Sequence, residues 1–173
     1  MRRKRFQLTV LPLSILLLIS GLVVPVYAFQ FSTFLLWKNE VPPVKTAAVG
    51  EAVFTFVRVH GQIAVDYRLD VKDIKGVTAA HIHLGKPGKN GPVVVVLYSG
   101  PVKKGKFTGR LAHGKITGKE LAGPLKGQTL GRLMVEIMLG KAYVNVHTMG
   151  HPAGELRGQL ECPKAICPVP LRK

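Results

Sequence analysis

The chain alternates before it does anything else. From Gln62 to Val71, Q-I-A-V-D-Y-R-L-D-V, the residues Ile63, Val65, Tyr67, Leu69 and Val71 fall to one side, and Asp66, Arg68 and Asp70 to the other. A period of two marks a half-buried strand. The preceding stretch, Gly50 to Val59, G-E-A-V-F-T-F-V-R-V, is rich in β-branched and aromatic residues, as strands are. His60-Gly61 between them predicts a turn, so the two are expected to form an antiparallel hairpin. Phe29 to Trp37 predicts a first strand. The stretch K-N-E-V-P-P-V after it is a stiff connector, because its two prolines lack backbone donors.

Val77 to Leu84 predicts the next strand, and G-K-P-G-K-N-G-P a loop with a strong turn signal at Asn90-Gly91. Val93 to Tyr98, V-V-V-V-L-Y, is continuously apolar and predicts a strand covered on both faces. Phe107 to Ala112 predicts an edge strand. After Thr117 the period changes. Leu130, Leu133, Met134, Ile137 and Met138 make an apolar stripe on one helical face, which Gly140 ends. The methionines read as core filler. Lys141 to Thr148 alternates again, and Gly154 to Glu161 predicts the last strand. No internal repeat is visible. About eight short strands with one or two helical insertions predict an all-β sandwich or barrel.

Hydrophobic content of 47% supports a packed core, and 19 glycines suit many tight turns. Residues 1–28 stand apart from the fold. Four basic residues in M-R-R-K-R precede an apolar run to about Val24, followed by V-P-V-Y-A. This predicts a secretory signal cut after Ala28. The alternative is an uncleaved anchor, since the run approaches the roughly 20 residues of a membrane span. Either places the remainder outside the cytoplasm. Residues 29–161 then form one domain and 162–173 a tail.

The formal net charge is +16. A basic exported protein meets envelope or extracellular proteins, acidic polysaccharides and other anionic polymers. Export excludes nucleic acid as the expected partner and leaves membrane contact to the N-terminal segment, if uncleaved. The plainer alternative is a solvated surface, because the lysines are scattered and mostly sit beside glycines in turns (Lys86, Lys89, Lys103, Lys104, Lys106, Lys115, Lys119, Lys126). Cys162 and Cys167, in C-P-K-A-I-C, predict a local disulfide in an oxidising compartment, pinning the tail rather than the core. A redox or metal role for the pair remains open, although its spacing favours neither.

The candidate chemistry lies in A-A-H-I-H. Alternation sets His81 and His83 on one face and Ala80 and Ile82 on the other. In A-Y-V-N-V-H-T the residues Tyr143, Asn145 and His147 oppose Val144 and Val146. Imidazoles two residues apart can lean onto one ion, and His147 from a neighbouring strand would complete a three-histidine site open to water or substrate. Copper and zinc suit such nitrogen donors. His151 and Glu155 are near enough in sequence to approach. The competing reading is a polar cluster. In it the histidines, Asn145, Glu155 and Arg157 satisfy one another's hydrogen bonds beneath the G-K-P-G-K-N-G-P loop. His60 and His113 sit beside glycines and read as surface turn residues. No serine nucleophile elbow, phosphate loop or dinucleotide fingerprint is present, and no carboxylate pair suggests glycoside hydrolysis.

Four stretches resemble the CHRD domain, the module named after chordin, and in particular its single-domain exported bacterial members. They are N-E-V-P-P-V (Asn39 to Val44), A-A-H-I-H-L-G-K-P-G-K-N-G-P-V-V-V-V-L (Ala79 to Leu97), Y-V-N-V-H-T (Tyr143 to Thr148) and H-P-A-G-E-L-R-G-Q-L (His151 to Leu160). The resemblance implies an immunoglobulin-like, Greek-key β-sandwich similar to copper/zinc superoxide dismutase. It does not imply dismutation, which needs a fuller histidine set with one bridging two metals. In the family the position of His151 is commonly asparagine. Chordin itself antagonises bone morphogenetic proteins outside the cell, a partner that does not carry over to a small single-domain protein. The expected function is an exported binding or structural module without catalytic apparatus. The alternative is a copper or zinc protein, redox-active if copper, using His81, His83 and His147.

Overall fold

A computed structural model describes residues 27–59 and 62–161. Their elements run β1 (Tyr27–Leu36), β2 (Val49–Val59), β3 (Gln62–Leu84), β4 (Val93–Tyr98), β5 (Lys103–Ile116), α1 (Leu130–Met138), β6 (Ala142–Thr148) and β7 (Leu156–Leu160). The protein is all-β in character, with α1 and two 3-10 turns inserted between β5 and β6. The N-terminal segment, the His60-Gly61 turn and the Cys162/Cys167 pair lie outside the described residues.

The two strands expected over 62–71 and 77–84 are one strand of 23 residues. The interruption that the sequence pattern marks is a bend. Register shifts fall between Val71 and Ile74 and between Lys75 and Val77, and Asp73 and Gly76 take positive φ of 60° and 62°. Extra residues on one strand bend it and increase its twist. The bend lets β3 serve two neighbourhoods. Its first half pairs with β2 and β5, and its second half pairs with β4 and β6.

All pairings are antiparallel, and five strands close a ring in the order β2-β1-β7-β6-β3, with β3 returning to β2. The β1–β7 closure is narrow, at Leu36↔Arg157, supplemented by the bridge Ser32↔Glu161. β4 and β5 hang from the two halves of β3. Seven strands are therefore present among the described residues, where about eight were expected. β5 runs well beyond the Phe107–Ala112 stretch, and it carries exposed His113 in a strand rather than a turn. β4 is not covered on both faces throughout: Val94, Val95 and Leu97 are buried, but Val96 is 48% exposed.

The core fills the ring from the alternating inward positions. Phe31, Leu35, Phe54, Phe56, Val65, Leu69, Ile82, Val144, Val146, Leu156 and Leu160 are all buried. Each fully buried side chain of this size contributes about 1.5–3 kcal/mol relative to exposure. The helix presents Leu130, Leu133 and Ile137 to this core and packs against β3 and β6. Gly140, at φ 64°, ends it as the sequence pattern predicts. Among the described residues no helix is long and apolar enough to cross a membrane.

Candidate metal centre

Burying Ile82, Val144 and Val146 in the ring turns the intervening side chains to the opposite face. There the β3–β6 register sets His81 beside Asn145, His83 beside Tyr143 and Ala79 beside His147. Residues 66 apart in sequence become neighbours: His81 Nδ1 is 3.1 Å from His147 Nε2. Ring centroids are 5.6 Å apart for His81–His83, 4.9 Å for His81–His147 and 5.9 Å for His83–His147. One nitrogen from each of the three lies within 4.8 Å of the others.

Backbone carbonyls set the tautomers. His83 Nδ1 donates to Gly91 O at 2.9 Å, and His147 Nδ1 donates to Pro152 O at 2.9 Å. In the neutral ring the other nitrogen is then a bare acceptor. That leaves His147 Nε2 to accept from His81 Nδ1. His83 Nε2 is buried and has no hydrogen-bond partner among the described residues. A buried polar atom without a hydrogen bond costs about 1–3 kcal/mol. All three rings favour the neutral form. Burial, reinforced by His147 and His83, holds His81 down at about 4. Burial also lowers His83, against the opposing Gly91 contact, and lowers His147, against that of Pro152. The neutral imidazole is the form that ligates a metal.

The loop that supplies Gly91 is held by a buried cation. Arg157 is 2% exposed. Its guanidinium donates to Asn90 Oδ1 (2.8 Å), Lys89 O (2.7 Å) and Lys86 O (3.2 Å). It also lies 3.5 Å above the Tyr143 ring centroid. Tyr143 stacks on His83 at 4.9 Å and 11°, and its hydroxyl accepts from Gly91 N. Asn90 reaches onward, donating to Val41 O. Gly91 must be glycine, since a Cβ there would come within 1.7 Å of Leu84 O.

The single polar cluster expected of the histidines, Asn145, Glu155 and Arg157 is instead four separate sets. The histidines face one another, and Arg157 holds the loop. Asn145 donates to Glu40 at 2.5 Å and to Leu156 O at 3.3 Å. Glu155 accepts from Thr46 and Thr148, at 2.7 Å each. Strand alternation places these side chains on one face but leaves them spread over two strands and their loops, too far apart to share every bond. His151 and Glu155 line a different cleft with Thr46, Lys75, Lys106 and Met149, and neither joins the three-histidine group.

Glu40 is a buried titratable residue of this region that sequence reasoning passed over. Burial pushes its carboxyl up to about 7, although Arg157 and the hydrogen bond from Asn145 oppose the shift. Its only sequence signal was its place in N-E-V-P-P-V. The carbonyls of Gly91 and Pro152 had none, since every residue has one.

Compared with known proteins, the chain matches the family model described as CHRD domain over residues 31–160. No curated protein and no solved structure matches it.

Proposed function

The chain belongs to the CHRD-domain family, and from that premise we propose that it is an exported metal-binding module holding copper or zinc on His81, His83 and His147. The observation that carries this reading is the orphaned, buried His83 Nε2 in a group that brings one nitrogen from each of three imidazoles within 4.8 Å. A hydrogen-bonded histidine cluster would leave no such atom, whereas an ion would satisfy it. Carbonyl partners on the far nitrogens are the usual outer shell of ligating histidines. Three protein nitrogens leave a fourth position for water or another ligand, and bound copper would supply redox chemistry.

The fold reading that accompanies this is an immunoglobulin-like or superoxide dismutase-like Greek-key sandwich whose two layers share the bent β3. The division of β3 between a β2/β5 half and a β4/β6 half supports it. A second functional reading, a binding or structural module at the cell surface or outside the cell, is favoured by the charge: without Arg2, Arg3, Lys4 and Arg5 the chain still carries 21 basic against 9 acidic residues, a net of +12. Its partners would be envelope proteins or anionic polymers, held with an affinity that salt weakens.

The test is metal content of protein purified without chelator and then offered copper or zinc. One ion per chain is expected, lost in H81A and H83A while circular dichroism stays that of a β-protein. Folded wild-type protein that retains neither ion would overturn the metal reading.

A further inference from the structure

We infer that an ion held by His81, His83 and His147 takes a small exogenous anion, rather than neutral water, as its next ligand. This deepens the metal reading above and rests on it. The donor set supplies no negative charge: the group consists of three imidazoles, with no carboxylate or thiolate among the described residues. The nearby carboxylates are engaged elsewhere, Glu155 with two threonine hydroxyls and Glu40 with Asn145.

A permanent cation stands behind the site. Arg157 lies across the Tyr143 ring from His83, buried, and its guanidinium meets only neutral oxygens, those of Lys86, Lys89 and Asn90. A divalent ion beside it would add positive charge to a poorly solvated region where the carboxylate that Arg157 acts on, Glu40, is already bound by Asn145, an arrangement that proteins relieve by pairing. An anion from solvent would supply that pairing.

The geometry leaves one side for it. His83 is buried, but His81 and His147 are only half-buried. Val96, paired across the ladder with His81, is 48% exposed, and Pro152 is exposed beside His147. Val96 and Pro152 therefore border the open direction, and the ligand inferred there is a small anion such as hydroxide, azide, chloride or a single carboxylate.

The probe is azide, titrated into copper(II)-loaded full-length protein and followed by the azide-to-copper charge-transfer absorption, with copper content measured on the same samples. Saturation at one azide per copper is expected. R157K keeps the charge but not the full set of loop contacts, and should bind azide more tightly than R157M does. R157M should bind about tenfold more weakly than the wild type, the effect of one unit charge at roughly 10 Å with an effective dielectric near 20. A stoichiometrically loaded wild type that shows no azide band overturns the inference, as does a folded R157M with unchanged azide affinity. If R157M does not fold, the wild-type titration still decides. Absence of copper from the wild type is a different failure, that of the metal reading itself.

Discussion

Tyr143 is clasped between His83 and Arg157, its ring 4.9 Å from the imidazole centroid and 3.5 Å from the guanidinium carbon. The three residues come from adjacent strands β3, β6 and β7. The arrangement couples the buried His83 imidazole to the anchor of the loop that orients it. Its consequences can be measured.

Ions that bind only the folded protein stabilise it by mass action, by about 4 kcal/mol at a thousandfold excess over Kd. Copper or zinc is expected to raise the wild-type melting temperature by several degrees. In H81A the metal-dependent rise should vanish, and without metal its stability should lie within about 1 kcal/mol of wild type, since the half-buried ring forms one hydrogen bond. Thermal melts with and without the ion check both.

Acid should weaken the fold through the histidines. Burial keeps the folded pKa of His81 at about 4, and those of His83 and His147 also below the ordinary 6.5. Between those values the unfolded chain binds more protons, so stability rises with pH across that window and falls as pH drops from about 6.5 toward 4. A loss of roughly 1–3 kcal/mol is expected, allowing for solvent screening of the half-buried rings. Denaturant midpoints across this range, compared with H81A, measure it, and bound metal should dissociate over the same interval.

Glu40 acts in the opposite sense. Its folded pKa is raised from 4.5 to about 7, so the folded state holds the extra proton and stability is lost as pH climbs through 7. E40Q keeps an acceptor for Asn145 and never ionises. It should match wild type near pH 4.5 and exceed it above pH 7 by about 2 kcal/mol. Equal stability of the two proteins at pH 8 would show that Glu40 is not the group titrating.

Gly91→Ala separates orientation from folding. The new Cβ would collide with Leu84 O, so the loop must shift and its carbonyl must leave His83 Nδ1. Losing such an outer-shell partner typically weakens metal binding 10–100-fold. Competition with a chromophoric chelator should show that drop in protein that still melts cooperatively.

Arg157→Ala should be the most damaging single change in the region. It strips the partners of two loop carbonyls and Asn90, and empties a fully buried volume beside Tyr143. A cost of about 3–5 kcal/mol is expected, read from urea unfolding.

Much of this was written into the one-dimensional pattern. Alternation across Gln62–Val71, Val77–Leu84 and Ala142–Thr148 fixed which residues face inward, because a strand can only point successive side chains to opposite sides. The same rule set His81, His83 and His147 on outward positions, and the period near 3.6 together with Gly140 fixed α1. Tertiary structure alone decided the rest. The sequence break at Val71–Val77 looks the same whether the strand ends or bends, and only pairing with β5 made it a bend. The split of Asn145, Glu155 and Arg157 among Glu40, two threonines and the loop, and the choice of Gly91 and Pro152 to orient two imidazoles, depend on contacts between distant segments. Side-chain direction is a local property of an extended backbone. Which polar atom meets which is settled only when ring closure brings β1, β6 and β7 together.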